Sequence, residues 1–131
     1  MIYACVPGHS LGRRVLRLFS EAPDTAEWRP AGLGSVLLVP EILTKPFREG
    51  KDEELTALAG ILGKLDLRPV DEETANLAVT LGATYGLRAV DAVHLATAVG
   101  MGADRFLTNN RRDFYQTIDE VEITYPDDLP D

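Results

Sequence analysis

Apolar residues recur along this chain at helical spacing and in short uninterrupted runs, and the alternation between the two sets out its elements. Leu11, Val15, Leu18 and Phe19 follow Ser10, a good N-cap, so Met1 to about Glu21 reads mainly as helix with a turn at Pro7-Gly8. Pro23 to Gly34 reads as a loop or short strand around Trp28. The run from Ser35 to Thr44 suits a strand by its apolar content, but Pro40 has no N–H to give a central ladder. Asp52 to Leu65 is amphipathic, with Leu55, Leu58, Leu62 and Leu65 on one face. Leu67 to Val70 reads as a strand. Asp71 then caps a helix whose first turn holds Glu72 and Glu73 and whose end lies near Gly86. A further helix presents Val90, Val93, Leu95, Ala96 and Val99, and Gly100 and Gly102 stop it. Arg105 to Thr108 is a short strand, followed by a polar loop, a helical turn near Phe114 and a last strand from Val121 to Tyr125.

Helices alternating with short apolar strands predict an α/β fold, a parallel sheet with helices on both faces. At 131 residues the chain has the size of one domain. It is read as a single domain over residues 1–125 with a loose acidic tail over 126–131. No apolar run approaches the roughly 20 residues that span a bilayer, so no membrane association is expected. The single Cys5 has no partner for a disulfide, which suits a cytoplasmic location.

The net charge of −8 argues against tight non-specific binding to nucleic acid, until its distribution is considered. Six of the 21 acids lie between Ile118 and Asp131, where no Lys or Arg occurs, so the first 117 residues carry a net charge of only −2. Small basic groups remain at Arg13, Arg14 and Arg17, at Lys45, Arg48 and Lys51, and at Arg111 and Arg112. An enzyme that meets RNA briefly is compatible with that balance.

The chain is organised around Leu87 to Phe114. Asp91 stands near the start of a helix among apolar neighbours, where the helix dipole favours a carboxylate and burial penalises it. The strand Arg105 to Thr108 ends in Asn109-Asn110-Arg111-Arg112, polar residues at a strand end, where α/β sheets place their sites. Asp-Ala-Val-His-Leu-Ala-Thr-Ala from Asp91, followed by Ala-Asp-Arg-Phe-Leu-Thr-Asn-Asn from Ala103, resembles the second half of the PIN domain. The nearest type is the ribonuclease toxin of bacterial type II toxin–antitoxin pairs.

That resemblance implies a three-layer PIN-like fold and an endoribonuclease that hydrolyses RNA phosphodiester bonds with Mg²⁺ or Mn²⁺. It also favours a helix from Ser35 to Lys45, with a local distortion near Pro40. Glu41 and Asp91 match the family's catalytic, metal-holding acids. Asn110 stands where many relatives carry another acid, and Thr108, Asn110 and Arg111 would meet the substrate. Asp113 is a weaker substitute for the missing acid, and His94 is better read as packed and hydrogen-bonded than as a ligand. A cognate antitoxin and a homodimer are the partners implied. Relatives begin with a central strand ending in Asp, which here would lie upstream of Met1, so a truncated start is expected. The alternative reading is a catalytically impaired PIN-like protein that keeps only partner binding.

Overall fold

A computed structural model describes residues 31–129. The expected N-terminal helix, the segment around Trp28, Cys5 and the arginines at 13, 14 and 17 lie outside these residues. Within them the order is β1 (Gly32–Ser35), α1 (Leu38–Arg48), α2 (Asp52–Leu62), β2 (Leu65–Arg68), α3 (Glu72–Tyr85), α4 (Ala89–Gly100), β3 (Arg105–Leu107) and β4 (Glu122–Thr124). A short 3₁₀ turn, Pro126–Asp128, follows. The expectation of α/β architecture with parallel strands is met.

Instead of one continuous sheet, the described strands form two parallel pairs. β1 lies against β2 with Gly32 opposite Leu65 and Ser35 opposite Arg68. β3 lies against β4 with Arg105 opposite Glu122. Among the described residues no ladder joins the two pairs. β1 is an unpromising strand, with two glycines in four residues. Gly34 is there because the chain turns straight into α1: a Cβ would stand 2.6 Å from Leu38 Cδ1.

Ser35 is therefore the last residue of a strand and not a helix N-cap. Its Oγ accepts from Leu37 N across the turn that delivers α1. Pro40 falls in the first turn of α1, where its missing N–H costs nothing, so the distortion expected there is not needed. α2 ends three residues earlier than its apolar spacing suggested, at Leu62, because Gly63 and Lys64 turn the chain into β2. Leu65 thus belongs to β2, and that strand runs Leu65–Arg68 rather than Leu67–Val70.

α3 is bounded as its sequence predicted. Asp71 accepts from Thr74 N at 2.8 Å, and Gly86 closes the helix at φ 67°. α3 and α4 pack side by side, with Gly82 facing the Ala92 methyl and Leu87 O. α4 buries Ala92, Leu95, Ala96, Thr97 and Ala98, while Val90 stays exposed. The main core joins this helix to Ala78 and Leu81 of α3 and to Phe114, Ile118, Val121, Ile123 and Tyr125.

The C-terminal segment, expected to be loose, is tied down as far as Leu129. Asp128 Oδ2 accepts from Tyr125 N and from Gln116 Nε2. Leu129 is buried, packed on Ala31, Ile61, Leu65 and Leu107. A buried leucine and a capping carboxylate outweigh the segment's acidic composition.

Candidate active site

Asp91 is set in the first turn of α4, half-buried beneath the start of α1. Its carboxyl is held above the usual range, first by burial and then by the negative charges of Asp113 and Glu41. His94 and Arg88 pull it the other way without cancelling the effect. One turn of α1 brings Glu41 to the same region, and His94 Nε2 donates to Glu41 Oε2. His94, mostly buried at 12% exposure, is thus hydrogen-bonded as its sequence context suggested.

Thr108 and Asn110 follow β3, where Thr108 N extends the pairing by donating to Thr124 O. Asn110 N donates to Thr108 Oγ1 at 3.0 Å. The Asn110 side chain is turned onto Asp113: Nδ2 donates to Asp113 Oδ2 at 2.9 Å, and Asp113 N donates to Asn110 Oδ1 at 3.2 Å. Asn110 therefore folds the loop into a turn and orients a carboxylate. The sequence undervalued Asp113 because three residues of separation look remote along the chain. The Asn-x-x-Asp turn brings it back, with Phe114 N donating to Asn110 O.

Glu41, His94, Thr108 and Asn110 line one cavity of about 990 Å³. Asp91 lines a smaller apolar recess beside it with Leu37, Pro40, Arg88 and Val90, and Glu41 stands on the wall of both. Arg111 points elsewhere. Its guanidinium lies 4.4 Å from the Tyr125 ring centroid and pairs with Asp127 at 2.5 Å.

A hard cation held by one or two carboxylates and otherwise hydrated suits this donor set, because it would offset the negative charges of Asp113 and Glu41 that add to burial in lifting the Asp91 carboxyl. Among the described residues no group of three or more His, Cys, Asp or Glu side chains is placed to hold a metal ion.

A profile of the PIN domain matches residues 2–120. The chain belongs to the PIN-domain family. Among solved structures, this PIN domain is similar to a chain of a toxin–antitoxin complex from Klebsiella pneumoniae. The two share 21% identity and a TM-score of 0.68 over 91% of this chain and 86% of the other, which is likeness of fold. No curated protein sequence matches it. Among the described residues no helix of this PIN domain is long and apolar enough to cross a membrane.

Proposed function

We propose that this PIN domain is a metal-dependent endoribonuclease of the toxin type, cutting RNA phosphodiester bonds with Mg²⁺ or Mn²⁺. The observation that carries this reading is the gathering of Glu41 and Asp113 near Asp91, a half-buried carboxyl lifted first by burial and then by those two negative charges. Such crowding of negative charge marks functional sites, and a divalent cation is what relieves it. Asp91 and Glu41 would hold the ion, with Asp113 adding a third negative charge nearby. When bound, the ion supplies a water of lowered pKa and screens the charge developing on phosphorus. The Thr108 hydroxyl accepts from Asn110 N and keeps its own proton for a phosphate oxygen. Arg88, beside Asp91 in the recess, is better placed for RNA than Arg111. The likeness to a chain from a toxin–antitoxin complex supports an antitoxin as protein partner.

The test is cleavage of a labelled single-stranded RNA with Mg²⁺, Mn²⁺ or chelator. Cleavage should require the metal, and Asp91→Asn and Asp113→Asn should each lower it by about a hundredfold or more. Mg²⁺ at about a hundred times its dissociation constant should raise unfolding free energy by roughly 2.7 kcal/mol, and Asp91→Asn should remove that gain. A second reading rests on the lack of three converging ligands among the described residues. In that reading the protein binds a partner without cutting RNA. Neither cleavage nor stabilisation by metal would decide for it.

A further inference from the structure

The loop that follows β3 is fastened at three points to one short stretch, Thr124 to Asp127. At its start, Thr108 N donates to Thr124 O. In its middle, the Arg111 guanidinium lies over the Tyr125 ring and pairs with Asp127. At its end, the Tyr125 hydroxyl donates to Phe114 O at 2.6 Å in a buried bond. Phe114 is held twice more, by its N–H on Asn110 O and by its ring, 4.9 Å from that of Phe106. Between these anchors sits Asp113, whose carboxylate accepts from the Asn110 side chain. Any buried tyrosine needs a partner for its hydroxyl, but Tyr125 takes the carbonyl next to a carboxylate of the candidate site.

We propose that Tyr125 is a positioning residue for Asp113: its hydroxyl pins the Phe114 carbonyl and so fixes where the Asn110–Asp113 turn holds its carboxylate. This rests on the reading of Glu41, Asp91 and Asp113 as a site for a divalent cation. The physical reason is leverage, since a carboxylate on a loop is only as well placed as the backbone beneath it. β3 ends at Leu107, so the turn lies beyond the strand. Its two Asn110–Asp113 bonds close it on itself, and the bonds to Thr124 and Tyr125 tie it to the rest of the fold. Arg111 belongs to the same device: over the ring and paired with Asp127, it keeps the phenol covered. Groups that orient a metal-holding carboxylate without touching the ion commonly govern its affinity tenfold or more.

Tyr125→Phe in the full chain tests this, since it removes the hydroxyl and keeps the ring. Tyr85→Phe is the control, a tyrosine whose hydroxyl donates to Glu120. Without metal, the NMR signal of the Asn110 Nδ2 proton given to Asp113 should move toward that of a free amide in Tyr125→Phe. In Tyr85→Phe it should stay in place. Mg²⁺ affinity measured by calorimetry should fall about tenfold in Tyr125→Phe. In an Asp113→Asn background the same substitution should cost nothing further, because its effect runs through that carboxylate. Unmoved Asn110 signals in Tyr125→Phe, equal movement in both variants, or a Mg²⁺ loss that adds fully to that of Asp113→Asn overturns the proposal. A parent that binds no Mg²⁺ overturns the reading of the site instead, and the Asn110 signals then decide the role of Tyr125 by themselves.

Discussion

A single carboxyl, that of Asp91, concentrates the functional question, and its titration makes a claim about stability. Burial and the charges of Asp113 and Glu41 raise it, so the folded chain holds this proton more tightly than the unfolded chain does. The stability linked to that proton is complete below the ordinary carboxylate range and is lost as pH rises through the lifted folded-state value. At about pH 7 the ionised form is therefore a cost, and Asp91→Asn should be more stable than the parent there. The advantage should shrink as the solution is acidified below the carboxylate range. Urea unfolding at both pH values checks it; a variant weaker than the parent at neutral pH would show that Asp91 is satisfied where it stands. Asp91 could be singled out in the sequence as an acid inside an apolar helical pattern, and Glu41 through its match to the PIN family. Asp113 was legible only as a weaker candidate, because its position depends on a turn made by Asn110.

At the scale of elements, the boundaries set by local chemistry were legible and those set by pairing were not. Asp71 and Gly86 define α3 through a side-chain cap and a left-handed residue, both written in the residue types. Gly86→Ala should cost about 1 kcal/mol, because an L side chain at φ 67° is strained, and chemical denaturation measures it directly. β1 is the opposite case. Its Gly-Leu-Gly-Ser sequence has little strand propensity, and the segment is a strand because it lies against β2. The same pairing shifted β2 two residues ahead of its apolar run and ended α2 before Leu65. The docking of Pro126–Leu129 depends on contacts with Gln116 and Leu107, which composition does not contain.

At the scale of the molecule, packing joins the two strand pairs, and among the described residues no ladder does. α4 touches both β1 and β3, and Leu129 touches both sides, resting on Ile61 and Leu65 from one and on Leu107 from the other. Leu129→Asp should therefore do more than lower stability by about 2–5 kcal/mol, the usual range for losing a buried leucine. It should also uncouple the pairs, so that unfolding followed at β2 and at β4 no longer coincides. Coincident transitions in the variant would mean that α4 alone is sufficient to hold them. Leu129 also follows every other buried residue in the described sequence. On the ribosome, both halves of the core are made before the side chain that bridges them appears. Until then each must keep its own apolar surface from neighbouring chains, a burden for a growing polypeptide that the finished fold no longer displays.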